Sequence, residues 1–200
     1  MKGHLPVSKS LKNAELKQAT IVQAALEQFL QQGYATTSMD AIANQAGVTK
    51  QTVYRYYISK EELLVAVMEK IQAEQPIPYE FGSAEVETEL NNFGCDLLAF
   101  HLTPQALGVY KMIMNESGQE GLLKPFMKAG PNRVMRPLKS FLQARYPKLQ
   151  DAAFCAQMFA SMVLVPRNQL IMSGNSRITR AEQEEHVNKV VVLFLHGLLV

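Results

Sequence analysis

Residues 37–64 read TSMDAIANQAGVTKQTVYRYYISKEELL, and this stretch decides the fold. Thr37, with Asp40 three residues on, makes a capping box at the start of one short helix. Gly47 stops that helix, because glycine takes the left-handed backbone a tight turn needs. A second short helix is expected from about Thr49 to Tyr57. Ser59 and Glu62 form another capping box, with Ile58 placed to staple onto Leu63. They open a longer helix carrying Leu63, Leu64, Val67, Met68 and Ile71 on one side, to about Glu74. Two short helices joined by a Gly-Val turn have the layout of a helix-turn-helix. Ala43 is small enough for close approach, and Ile42, Val48 and Val53 supply the core beneath.

That packing leaves Thr49, Lys50, Gln51, Thr52, Tyr54, Arg55 and Tyr56 as candidates for the outside face. Amide and basic side chains at a helix start read base edges in a DNA major groove. Hydroxyls and tyrosines suit phosphates, which set register more than sequence. Lys60, with the amides at its helix start, is a further candidate phosphate site, as are Thr37 and Ser38 before the first short helix. The competing reading is an ordinary helical hairpin with a solvated polar face.

Working outward, the periodicity is helical nearly everywhere and the class is all-α. Upstream, Lys12 to Gln32 carries Ile21, Val22, Ala25, Leu26, Phe29 and Leu30 as one buried stripe, ended by Gly33. Downstream, Pro76 and Pro78 mark a boundary between residues 1–75 and 76–200. Ser83 is expected to start a helix reaching Leu102, and Thr103-Pro104 to cap and begin the next, to about Asn115. Pro131–Tyr146, Asp151–Ser173 and Arg180–Leu199 complete the set, the last capped by Thr179 and Glu182. Pro166 should bend its helix.

The 200 residues are 48% hydrophobic and 19% charged, enough apolar content for a sizeable core. Net charge is +2, but it runs +4 over residues 1–60, −7 over 61–130 and +5 over 131–200. A cationic first segment suggests a local anionic partner. No apolar run approaches a membrane span, and MKGHLPVSKS lacks the apolar centre of a signal peptide. Cys95 and Cys155 are far apart and read as free thiols, so a cytoplasmic location is expected. His4, His101, His186 and His196 show no metal-ligand spacing, and no phosphate loop or paired-carboxylate site stands out. The chain is therefore expected not to be an enzyme and to need no metal or cofactor.

The run GVTKQTVYRYYISKEELL resembles the signature of the TetR/AcrR family of transcriptional regulators, and YATTSMDAIANQAG matches the same family's second helix. The resemblance covers roughly residues 12–75. It implies three N-terminal helices as a DNA-binding unit and a larger C-terminal ligand-binding and dimerisation domain. It also implies a homodimer on a palindromic double-stranded operator, most often as a repressor released by a small-molecule effector. By this resemblance Thr49 through Thr52 contact bases and nearby phosphates, and Tyr54, Tyr56 and Lys60 contact phosphates. Gln51 stands where glycine is common, and Tyr57 where phenylalanine is usual.

From about Asn91 to Gly174 the chain resembles the AefR-like group, which implies an effector cavity among the central helices. Residues able to line one are Phe93, Leu97, Phe100, His101, Tyr110, Met114, Asn115, Phe126, Met127, Met158 and Met162. Ten methionines suit a pliable pocket for apolar molecules, although each of these residues could equally be plain core. Arg167 is expected to cap a carbonyl or line the pocket mouth. The last two long helices are apolar almost all round, which calls for a partner subunit. Phe159, Val163, Val187, Val191, Phe194, Leu195 and Leu198 are assigned to that two-fold, four-helix interface. The rival function is a helical small-molecule-binding or adaptor protein without DNA binding.

Overall fold

A computed structural model describes residues 9–73, 79–115, 131–173 and 177–198, and every element among them is a helix. In chain order these are α1 (Lys9–Gln32), α2 (Met39–Gln45), α3 (Lys50–Tyr56), α4 (Lys60–Ala73) and α5 (Val86–His101). They continue with α6 (Pro104–Asn115), α7 (Pro131–Arg145), α8 (Ala152–Val163), α9 (Val165–Ser173) and α10 (Arg180–Leu198). Among the described residues, no helix is long and apolar enough to cross a membrane. The chain divides into two compact units, Met1–Lys70 with Met112–Phe126, and Ile71–Lys111 with Met127–Val200. The division falls five residues before the expected boundary, and the end of α6 joins the first unit.

In the first unit, α1 buries Ile21, Val22, Ala25, Leu26 and Phe29, while Leu30 stands outside the stripe. Gly33 ends the helix at φ +86°, and its amide donates to the Phe29 carbonyl at 3.0 Å. The α2 cap is Ser38, not Thr37: the Ser38 hydroxyl accepts from the Ala41 amide at 3.1 Å. Gly47 turns the chain at φ +66°, and Thr49 caps α3. Ile42, Ala43 and Val53 are buried where α2 meets α3, and Leu63, Leu64 and Val67 of α4 are fully buried. At α4, Ser59 accepts from the Glu62 amide at 3.2 Å and Glu62 reaches back to the Ile58 amide at 3.0 Å. The expected staple is absent, since Ile58 is 73% exposed.

The second unit is built around α5, which packs on α8 and α10; α7 and α9 also pack on α8. α5 starts at Val86, three residues later than Ser83, because the preceding loop is held in another shape. Arg145 donates to the carbonyls of Gly82 and Ala84 at 3.4 and 2.9 Å. The buried Glu89 carboxylate accepts from the Ala84 amide at 3.2 Å and the Tyr79 hydroxyl at 3.1 Å. Burial, then that carboxylate, pushes the Tyr79 phenol up to about 12. Phe81 stacks on Phe141 with centroids 4.3 Å apart, closing the aromatic cluster over Phe93.

Gly94 permits the close approach of α5 and α10. A Cβ there would lie 2.7 Å from Cγ1 of Val187 and 3.5 Å from Cγ2 of Val163. Gly94→Val should therefore destabilise the protein by about 1–3 kcal/mol through overpacking. A melting temperature equal to that of the unaltered protein would show that the two helices separate without cost.

The expected bend at Pro166 is a break between α8 and α9 at Leu164. Proline has no amide to give the Met162 carbonyl, and the His186 ring nitrogen Nε2 takes that place at 3.0 Å. The structure overturns the expectation that Phe159, Val163, Val187, Val191 and Phe194 lie at a subunit interface. All five are buried within the chain against α5, and Leu195 and Leu198 pack partly on the same core. α5 supplies the cover that the sequence reading sought in a second subunit. The outward faces of the same helices carry Phe154, Met158, Val192 and Leu193.

Candidate functional site

The expected reading face is α3 and the residues that hold it. Thr49 accepts from the Thr52 amide at 3.2 Å, and the two hydroxyls lie 2.8 Å apart. Val53, fully buried, anchors the inner side. Lys50, Gln51, Tyr54 and Arg55 are exposed, and Thr52 and Tyr56 are half-buried. Arg55 stacks its guanidinium 5.1 Å from the Tyr56 ring centroid. Lys50 pairs with Asp40 of α2 at 2.8 Å, and that bond holds the ammonium pKa up. Both partners are more than half exposed, so the pair is weak and exchangeable. Asp40 is thus a lysine partner rather than half of a capping box, a role the sequence reading missed. Tyr57 is half-buried, and burial raises its phenol pKa.

Two expected contacts are corrected. Thr37 is 2% exposed, and its hydroxyl donates to the Gly33 and Gln28 carbonyls at 2.7 and 3.2 Å. It closes the end of α1 and presents nothing outward. Lys60 is turned inward as well. Its ammonium donates to the carbonyls of Tyr34, Ala35 and Thr37 at 2.7, 3.1 and 2.9 Å, and lies 4.4 Å from the Tyr34 ring centroid. An ammonium has three protons to donate, and three carbonyls receive them. Lys60 ties the start of α4 to the α1–α2 loop instead of reaching a phosphate. Ser38 is exposed at its cap.

A helix-turn-helix with this packing and face matches the sequence profile described as bacterial regulatory proteins, tetR family, over residues 21–67. A second profile, the AefR-like transcriptional repressor C-terminal domain, matches residues 88–197, more than half the chain. The chain belongs to the TetR family. SrpR, an HTH-type transcriptional regulator of Pseudomonas putida, is 38% identical over 73 residues, covering 36% of this chain and 33% of SrpR. The chain spans about a third of the length of the curated relatives it matches.

Solved structures extend the likeness further. The flavonoid-responsive regulator FrrA is 32% identical with a TM-score of 0.74, over 92% of this chain and 97% of that one. A protein assigned to the same family in Mesorhizobium loti MAFF303099 is 26% identical with a TM-score of 0.75, over 92% and 97%. The TetR family is one of transcriptional regulators, and α2 and α3 form the helix-turn-helix that its profile matches.

The residues expected to line an effector cavity scatter. Phe93 and Leu97 are core, Phe93 against Tyr79, Phe81 and Phe159. Met114 and Met158 are exposed. Helical spacing marks apolar positions without showing which neighbour covers them. Phe126, Met127 and the Asn115 side chain lie outside the described residues. Met162 is half-buried. Phe100, His101 and Tyr110 do meet, with centroids 4.9 and 5.5 Å from His101. Arg167 joins them over the Tyr110 ring at 4.0 Å. The signal for Arg167 was legible as one cation after a proline within a long apolar helix. Burial pushes the Cys95 and Cys155 thiols up, which lowers their thiolate fraction at neutral pH.

Burial, reinforced by Arg167, lowers the His101 pKa to about 3 from an ordinary 6.5. The folded state therefore keeps His101 neutral, while the unfolded chain takes up a proton below 6.5. Its contribution to stability is complete above pH 6.5 and declines as pH falls toward 3, by about 3 kcal/mol at pH 4.5. His101→Gln should flatten this part of the acid denaturation profile. Identical pH dependence in both proteins would remove His101 from the account.

Proposed function

We propose that the protein is a repressor acting in the cytoplasm, binding a palindromic operator as a homodimer and released by a small, largely apolar effector. The observation that carries this reading is the exposed polar face of α3, backed by buried Val53 and Ala43. In it, Gln51 and Lys50 address base edges, Lys50 leaving Asp40 for the duplex. Ser38, Thr49, Thr52, Tyr54, Arg55 and Tyr56 hold phosphates. The outward residues Phe154, Met158, Val192 and Leu193 form the two-fold contact, a face that is costly to leave in water. A dimer sets two copies of α3 about one DNA turn apart, ~34 Å.

The AefR-like match favours repression, and FrrA's flavonoid response makes planar phenolic compounds the first effectors to screen. An effector moves the balance between DNA-competent and released states only by its difference in affinity for them, about 1–3 kcal/mol. The test is binding to duplexes selected from genomic fragments, measured across a salt series. Affinity for a palindrome should fall steeply with salt as phosphates lose their neutralising partners. Gln51→Ala should relax discrimination at one or two base pairs by about 1–3 kcal/mol, whereas a uniform loss would place Gln51 on the backbone. Indifference to every duplex would overturn the reading.

A further inference from the structure

Arg167 sits in the first turn of α9, directly after Pro166, and only 8% of it reaches solvent. Its Nε and Nη2 donate to Oδ1 of Asn168 at 3.1 and 2.8 Å, a neutral acceptor. Its Nη1 is buried with no acceptor among the described residues. Across the Tyr110 ring, His101 at the end of α5 has its buried Nδ1 without a partner among the described residues. All three side chains belong to the second unit.

A guanidinium cannot shed its proton, and burying it without a counterion costs several kcal/mol. Among the described residues Arg167 forms no ion pair. Tyr110 does not supply the missing charge either, because burial raises its phenol pKa. His101 stays neutral, so one nitrogen of its ring remains an acceptor. A buried cation with an unused donor, beside a neutral ring with an unused nitrogen, is incomplete until an anionic group arrives.

We propose that Arg167, stacked on Tyr110, anchors an acidic oxygen of the effector, which is a small organic monoanion (a carboxylate, sulfonate or acidic phenol) on an apolar body, and that His101 holds a second polar group of the same molecule. Nη1 of Arg167 donates to that oxygen, and Nδ1 of His101 meets a second polar group on the same molecule. Phe100, edge-on to His101, gives the apolar body a wall. The inference rests on the effector-sensing reading above and adds to it the charge of the ligand.

Two fluorescent probes test it on the full chain: anilinonaphthalene sulfonate, and phenylnaphthylamine, which has the same rings without the sulfonate. The unaltered protein should bind the sulfonate at least about tenfold more tightly. Arg167→Met should weaken sulfonate binding on the order of 10- to 100-fold, as expected for a hydrogen bond to a charged group, and leave the neutral probe unchanged. Its melting temperature should hold or rise, since an unpaired buried charge has been removed. Equal sulfonate binding by both proteins overturns the anchor, as does a lowered melting temperature with the probe preference intact. Binding of the neutral probe alone leaves effector sensing standing and the anchor refuted. If the unaltered protein binds neither probe, effector sensing itself fails and the anchor with it.

Discussion

Replacing Lys60 with methionine should lower the stability of the N-terminal helices by roughly 2–3 kcal/mol, the range for charge-assisted hydrogen bonds in a partly buried setting. The three carbonyls of Tyr34, Ala35 and Thr37 would lose their common donor, and the Tyr34 ring its cation. These carbonyls stand at the end of α1 and the approach to α2. Loosening them frees the platform on which α3 is presented. Amide exchange in α2 and α3 should quicken, and affinity should fall alike for every duplex. A phosphate-contacting lysine behaves differently: its loss leaves the melting temperature alone and reduces the salt slope by about one. Measuring melting and salt dependence on the same variant separates these outcomes, and an unchanged melting temperature with a flattened slope would return Lys60 to the DNA.

The second large effect is on α10. Val191 is fully buried between α5 and α8, so Val191→Asp places an unpaired carboxylate in the core. The cost is about 4 kcal/mol or more, sufficient to unfold the second unit at ordinary temperatures. Leu193, two residues on, is 64% exposed. Leu193→Asp should keep the helical circular dichroism and the melting of the separate chain, yet shift sedimentation from dimer to monomer. A folded Val191→Asp protein would contradict this packing. A dimeric Leu193→Asp protein would move the two-fold contact elsewhere.

The difference between those two residues marks the limit of what one-dimensional spacing records. On α10 the apolar residues Val187, Val190, Val191, Phe194 and Leu195 look alike in one dimension, and so do Val192 and Leu193. Only the position of α5, brought close by Gly94, says which of them are already covered. The same holds for Met158 and Met114, which suit a pocket by composition and face outward in fact. Thr37 and Lys60 failed for a related reason. Each has the chemistry of a phosphate contact, but nearby carbonyls at the end of α1 claim it first. Ser38 and Thr49 were legible because a cap is satisfied by amides three residues on.

Local chemistry was therefore enough to place the helices. The glycines at positive φ, the hydroxyl caps, the prolines and the three- and four-residue spacing of apolar side chains all act within a few residues of where they are written. They also sufficed for the helix-turn-helix, whose polar face follows from what must be buried behind it. Which apolar faces meet, which polar groups are spent on carbonyls and where a cation is left without an anion depend on segments far apart in the chain. Arg167, Tyr110 and His101 come from three helices, and no spacing in the sequence records that they converge. Hydrophobic burial is non-directional, so it selects helices that pack without naming their partners, and only the assembled core makes that choice.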